Sequence, residues 1–308
     1  MNFQQLRSVR EAVRRGFNLT EVAQALFTSQ PGVSRQIREL EDELGIEIFV
    51  RVGKRLTGLT APGRAVLPII ERLLLEAENL KRAGAGFAQD DVGELTIVTT
   101  HVQAKYRLPA VVQAFRALYP RVRLHLRQGS AARVARRVLE GEADIGIATD
   151  VLPDYEDLAT LPCYTWNYRV VVPPGHALAD GTPLTLERLA GFPIVTYDGE
   201  YSGRAPIDAA FERAGLTPDF TILAMNADII KTYAEIGTGV GIVAEMAYDP
   251  AVDTRLVAVP ADGLFESNVT HVAVRRGALL RRYAYDFIAI VAPELTPERV
   301  RCAQGWER

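Results

Sequence analysis

The sequence predicts an α/β body of two lobes, preceded by a small helical head with a β-hairpin and by one long helix. Three observations carry that prediction. From residue 93 onward, strand-like runs alternate with helical ones, as in ELTIVTT followed by LPAVVQAFRALYP. The first 45 residues instead hold three short helical segments. Between the two regions, residues 61–83 (APGRAVLPIIERLLLEAENLKRA) read as one long helix.

The chain has 308 residues, enough for two or three domains with real cores. Hydrophobic residues make up 48% and charged residues 24%, an ordinary globular composition. The two cysteines, Cys163 and Cys302, are far apart and have no CxxC spacing, which argues against a disulfide scaffold or a cysteine zinc site and for a reducing, cytoplasmic setting. The opening MNFQQLRSVREAVRRG has no apolar signal core, and no run reaches the length of a membrane span, so a protein neither exported nor membrane-inserted is expected. The net charge of −3 conceals an asymmetry. Residues 1–64 hold 10 Lys and Arg against 7 Asp and Glu, whereas the remainder holds 25 against 31. A basic head on an acidic body is expected if only the head meets phosphate.

In the head, Leu6, Val9 and Val13 share one face of a first helix. Asn18 is an N-cap for a second, with Glu21 in the capping-box position and Val22, Ala23 and Leu26 on its apolar side. Ser29 caps a third, with Pro31 in its first turn, where a missing N–H goes unnoticed. Val33, Ile37, Leu40 and Leu44 form its buried stripe, while Gln30, Ser34, Arg35 and Arg38 lie opposite. That layout suits a helix in a major groove: Gln pairs with adenine, Arg with guanine or phosphate, and Ser with either. The Phe27-Thr28 turn fits helix-turn-helix, and residues 46–63 form a hairpin wing with Arg51, Lys54 and Arg55 toward backbone phosphates. Patterning alone leaves a second reading open, a three-helix bundle with a solvated basic face.

The segments TSQPGVSRQIRELEDELGIEIFVR and LTGLTAPG closely resemble the winged helix-turn-helix of LysR-type transcriptional regulators. The resemblance implies that Ser29, Gln30, Pro31, Ser34, Arg35 and Arg38 line promoter DNA, with Arg51 and Arg55 in the wing.

In the long helix, Val66, Ile70, Leu73, Ala77 and Leu80 recur at alternating spacings of four and three, the seam of a two-helix coiled coil. The alternative is a helix packed on its own domain. Pro68 is expected to kink it or delay its start, and the polar AGAGFAQDD that follows reads as a hinge. Helix pairing of this kind makes a homodimer in the LysR family, which usually assembles as a homotetramer. The predicted divisions are a head at 1–60, a linker at 61–90 and a body at 91–308. One lobe spans about 91–163 and 267–308, and the other about 164–266.

The body is expected to hold a largely parallel sheet, with ligands beyond the carboxyl ends of its strands and near helix N-termini. Thr99, Thr100 and Gln103, Thr149, and Ser202 with Gly203 fall at such positions. Neutral donors there hold an oxyanion without a full charge, and they serve equally as caps and turn residues.

The segments TTHVQAKYRLP, ADIGIAT, LPCYTWNYRVVV, FERAGLTP and ADIIKTYAEIGTGVGIVAEMAYDP resemble the CysB branch of the LysR family, which regulates sulfur assimilation and cysteine biosynthesis. This likeness implies a periplasmic-binding-protein-like effector domain that takes an acetylserine-type inducer and sulfate or thiosulfate, with no resident cofactor. By position, the effector residues are Thr100, Gln103, Thr149 and Ser202. Val102 and Ser202 stand where the branch usually has Thr, so one cleft hydroxyl is lost and one kept. Related regulators of organosulfonate use share most of these motifs. RNA polymerase is the expected protein partner on DNA.

Other features carry less. GTGVG at 237–241 follows a helix and reads as a C-cap and turn. The four histidines lack metal spacing, so no metal is expected. His101 lies near the cleft, with a surface or core role favoured over lining it, and Trp166 is read as a packed core residue in preference to a wall of the cleft. No nucleophile has a GxSxG context or a His/Asp partner, so no catalytic residue is assigned. The reading from a different class is a cytoplasmic small-molecule-binding protein or enzyme on the same body; the basic head and the missing catalytic constellation weigh against it.

Overall fold

A computed structural model of the chain describes residues 1–53, 55–88, 91–149, 152–199, 201 and 203–306. Lys54, part of the hinge (Gln89 and Asp90) and Ser202 lie outside the described residues. The chain divides into two compact units, Met1–Phe87 and Ala88–Arg308.

The first unit opens with α1 (Phe3–Arg14), α2 (Leu19–Ala25) and α3 (Gln30–Leu44). Each helix starts on a side-chain cap that satisfies otherwise unpaired N–H groups. Asn2 and Gln5 form a capping box on α1. Asn18 accepts from the N–H groups of Thr20 and Glu21, but Glu21 meets the Asn18 side-chain amide at 2.8 Å, so the expected box is only half made. The Ser29 hydroxyl accepts from the Gly32 N–H at 3.2 Å, with Pro31 in the first turn and Gly45 closing α3 in the left-handed region. Leu6, Val9, Val22, Val33, Ile37 and Leu40 form the core. Leu44, expected to extend that stripe, is exposed at the helix end. Glu41 is buried instead, accepting from the N–H groups of Ile48 and Phe49 at 2.8 and 3.2 Å.

The wing is an antiparallel hairpin of β1 (Phe49–Val52) and β2 (Arg55–Leu59). The helix α4 (Ala61–Ala88) follows directly. It begins at Ala61, so Pro68 does not delay its start. A Cβ on Gly63 would lie 2.0 Å from the Ile48 carbonyl oxygen, a close approach that only glycine permits. Ile70 and Leu74 are buried in the head core. Ile70 therefore packs on its own unit rather than in the expected seam. The exposed apolar row is Ile69, Leu73 and Leu80, at 48, 41 and 76% exposure. Neighbouring rows of a helix lie close together, and an apolar count does not say which one meets the core.

The second unit runs β3 (Gly93–Thr99), a π-helical turn at Gln103–Arg107, α5 (Leu108–Leu118), β4 (Val122–Gln128), α6 (Ala131–Leu139), β5 (Ile145–Thr149) and β6 (Leu158–Trp166). Then come β7 (Tyr168–Val172), α7 (Leu186–Ala190), β8 (Ile194–Tyr197), α8 (Ala205–Arg213), β9 (Phe220–Ala224), α9 (Ala227–Glu235), β10 (Val240–Ala244) and β11 (Val257–Pro260). β12 (Asn268–Arg275), α10 (Arg282–Val291) and α11 (Pro297–Gln304) complete it. Two five-stranded sheets result, ordered β4-β3-β5-β12-β6 and β11-β7-β10-β8-β9. The chain leaves the first sheet after Trp166 and returns to it at Asn268.

The sheets are mixed rather than largely parallel. β3, β4 and β5 run parallel, as do β8, β9 and β10, but β12 is antiparallel to both neighbours and β7 to both of its own. The antiparallel strands include those that carry the chain between lobes, which no local pattern reveals. Ile97, Phe115, Ile147 and Phe287 fill one face of the first sheet, and Val98, Val134 and Val138 the other. In the second lobe, Val170, Ile207, Phe211 and Ile242 oppose Val171, Val195 and Ile230.

Candidate DNA interface and effector cleft

On α3, Gln30, Pro31, Arg35 and Arg38 are exposed and Ser34 is half-buried. Ser29 spends its hydroxyl as the cap. The Arg35 Nε lies 2.7 Å from the Glu39 carboxylate one turn on, and this hydrogen bond holds the Glu39 carboxyl below its usual range. Arg38 has no acidic partner among the described residues. Gln30 and Arg55 line one concavity of about 570 Å³ together with Asn18, Leu19 and Thr20 at the start of α2. Arg51 has a different partner: its guanidinium bonds to Glu41, and its side chain is only 28% exposed. Phe27 drew no functional reading from sequence, yet it is 97% exposed and sits at φ +51°, costly for a bulky side chain. No composition or periodicity signal marks it.

In the second unit a cleft opens at the carboxyl ends of β3, β5, β8 and β9. Its throat, about 20 Å³, is lined by Thr100, Gln103, Thr149, Trp166 and Tyr197, among others. That is room for about one water. Gln103 and Thr149 are buried and already bonded. The Gln103 Nε2 donates to the Thr270 hydroxyl at 3.2 Å and its Oε1 accepts from Tyr164, while the Thr149 and Thr270 hydroxyls meet at 3.0 Å. The Trp166 indole N–H is 3.2 Å from both hydroxyls. Thr100 is half-exposed at the throat. Thus three of the four expected effector residues come together, and Ser202 lies outside the described residues. Val102 packs against apolar clusters of the second lobe, so the missing hydroxyl is replaced by contact between lobes. Trp166 is both a core residue and a wall of the throat. Sequence reasoning missed Thr270, the hub of this network, because it lies inside an ordinary strand pattern.

Outside the throat lies a larger cavity of about 540 Å³. Gln128, Ser130 and Arg133 line it from the first lobe, and Met225 and Asn226 from the second. His101 lines both spaces, so the cleft-lining alternative holds over the favoured surface or core role. Its Nδ1 is 3.3 Å from Gln128 Oε1, and its Nε2 is 3.0 Å from Asp228 Oδ2. Asp228 also accepts from Lys105 and, at 2.7 Å, from the Tyr106 hydroxyl. Partial burial pushes the Asp228 carboxyl up, but the hydrogen bonds from Lys105, Tyr106 and His101 outweigh it and hold the pKa at about 2. Burial, with Asp228 adding to it, raises the Tyr106 phenol.

Among the described residues no cluster of His, Cys, Asp and Glu suits a metal ion, and no helix is long and apolar enough to cross a membrane. Both cysteines are free thiols, and burial pushes Cys163 up to about 12.

A winged helix-turn-helix joined to a two-lobed α/β body with a polar cleft defines a DNA-binding regulator with a small-molecule-sensing domain. Residues 3–64 match the bacterial regulatory helix-turn-helix proteins of the lysR family, and residues 88–296 match the LysR substrate binding domain. The chain belongs to the LysR family of transcriptional regulators and is not an enzyme. It is 55% identical over 300 residues to the HTH-type transcriptional regulator SsuR of Burkholderia cenocepacia, covering 97% of each chain. To the regulator CysB of the same organism it is 50% identical over 303 residues, covering 98% of this chain and 97% of that one. Its body is similar to the crystal structure of the cofactor-binding domain of the Cbl transcriptional regulator. The TM-score is 0.68 at 40% identity, over 71% of this chain and 96% of that one.

Proposed function

We propose that this chain is a cytoplasmic, sulfur-responsive regulator that binds promoter DNA through Gln30, Ser34, Arg35, Arg38 and Arg55, with Ser29, Pro31 and Arg51 shaping that surface. Its effector is an acetylserine-type inducer, with sulfate or thiosulfate, held at Thr100, Gln103, Thr149 and Ser202. The genes it controls serve sulfur assimilation and cysteine biosynthesis. The convergence of neutral donors on the throat carries this reading, because such donors suit a tetrahedral oxyanion. A second reading, control of organosulfonate use, is favoured by the outer cavity of about 540 Å³, whose size suits an organic molecule.

The exposed row on α4 pairs two chains, and two such dimers make the homotetramer. Effector binding changes the angle between lobes or the pairing of subunits, and so moves the heads on DNA and their contact with RNA polymerase. Linkage requires the effector to bind the activating arrangement more tightly. The test is calorimetric titration of the full chain with N-acetylserine, O-acetylserine, sulfate and thiosulfate, repeated with Thr100→Ala. Binding of one of them, lost in the variant, is expected. No binding to the folded protein overturns the assigned effectors, and unchanged promoter footprints at saturating effector overturn the mechanism.

A further inference from the structure

The throat has room for about one water, yet it opens beside a chamber of about 540 Å³. Both spaces are lined by His101, Tyr201 and Met225, so they adjoin. An inorganic oxyanion leaves most of such a volume empty, whereas small organic ligands fill pockets of about 300–1,000 Å³. Ligand atoms beyond the throat meet a distinct electrostatic setting. Among the described residues no carboxylate lines the chamber. Asp228, nearby, is already bonded to His101, Lys105 and Tyr106. Among the described residues, Arg133 alone in the chamber lining carries a permanent positive charge, and it has no acidic partner there. Its stem lies across Gly129, where an added Cβ would sit 2.9 Å from the Arg133 Cδ. Arg133 also stands in the first turn of α6, whose N-cap residue Ser130 makes no side-chain capping bond. Ser130 at the start of α6 and Arg133 in its first turn thus line the same space, and a helix start and an arginine both favour an anion.

Building on the second of the proposed readings, control of organosulfonate use, and on the neutral donors of the throat, we infer that the effector is a difunctional organic anion: one oxyanion group is directed to the throat, and a second carboxylate or sulfonate is bound by Arg133 in the outer chamber. Arg133 is then the residue that separates such effectors from inorganic sulfate and from singly charged organic acids.

The experiment titrates the full chain calorimetrically with three probes: inorganic sulfate, methanesulfonate and sulfoacetate. The wild type, Arg133→Gln, Arg133→Lys and Thr100→Ala are compared. The wild type is expected to bind sulfoacetate at least about tenfold more tightly than methanesulfonate. Arg133→Gln removes that preference and leaves sulfate and methanesulfonate unchanged, and Arg133→Lys restores part of it. A preference that survives in Arg133→Gln, or no preference in the wild type, overturns the inference. If sulfate and methanesulfonate bind, are lost in Thr100→Ala, and sulfoacetate binds no better, the throat reading stands and this inference falls. If no probe binds the folded wild type, both fall.

Discussion

The Tyr106 hydroxyl of the first lobe donates to the Asp228 carboxylate of the second at 2.7 Å. The Tyr106 ring packs in the second lobe's apolar cluster with Tyr197 and Ala227, and the Lys231 ammonium lies 5.5 Å from its centre. The π-helical turn that contains Tyr106 begins at Gln103, which belongs to the throat network. One short segment therefore joins the throat hydroxyls to the contact between lobes. A ligand that moves Gln103 also moves Tyr106 against Asp228, which is the physical form a coupling between cleft and lobe angle requires.

Asp228→Asn is expected to loosen this contact. The Asp228 carboxyl titrates at about 2 in the folded chain, against about 3.9 when unfolded. Its folded value is depressed, so its stabilisation is complete above about pH 4 and fades as the pH falls toward about 2. The side chain is one-third exposed, so solvent screening reduces the contribution to roughly 1 kcal/mol. Urea unfolding of wild type and variant at several pH values is expected to show that difference at pH 7 and only a small part of it near pH 2. A gap that persists undiminished in acid contradicts this account.

Thr270→Val keeps the shape of the side chain but removes the hydroxyl shared by Gln103, Thr149 and Trp166. Their polar groups are buried, so leaving them short of partners costs about 1–3 kcal/mol. Chemical denaturation measures that loss. Because Thr149 still accepts from Trp166, the indole orientation is expected to persist, read as an unchanged near-UV circular dichroism band.

How much of this was legible in the sequence differed by the range of the interaction. The caps at Asn18 and Ser29, the stripe Val33–Ile37–Leu40 and the body's alternation of strands and helices depend on neighbours within a few residues, and they were readable. β6 was not, because Pro162 and polar residues break its pattern; its register with β12 shifts between Thr270 and His271, opposite Tyr164 and Pro162. The rule that ligands sit beyond strand ends pointed to Thr99, Thr100, Gln103 and Thr149 without separating ligand groups from caps, and the resemblance to the CysB branch singled out Thr100, Gln103 and Thr149. The bonds from His101 to Asp228 and from Gln103 to Thr270 span 127 and 167 residues, and no spacing within the chain announces them.

Two arginines of the head are expected to behave differently. Arg38 is exposed on α3 with no acidic partner among the described residues, and Arg38→Ala is expected to weaken operator binding by about 1–3 kcal/mol without changing stability. Arg51 instead holds Glu41, which anchors the entry to the wing through Ile48 and Phe49. Arg51→Ala leaves a buried carboxylate without its cation, so it is expected to lower the melting temperature as well as DNA affinity. Gel shifts paired with thermal melts of each variant separate the two roles; equal melting temperatures would remove the structural role of Arg51.

The rows on α4 make the sharpest contrast, because adjacent residues face different partners. Leu73 is exposed on the row with Ile69 and Leu80, whereas Ile70 is buried in the head core. Leu73→Glu places a charge where a second chain is proposed to pack, and is expected to shift the protein toward monomer in sedimentation equilibrium while the head stays folded. Ile70→Ala opens a cavity in the head and is expected to cost about 2–5 kcal/mol of its stability. The assembly state of Ile70→Ala follows only from that loss of folding. If Leu73→Glu sediments as the wild type does, the exposed row of α4 does not join the subunits. The coiled-coil spacing of residues 66–80 then reflects packing on the head alone.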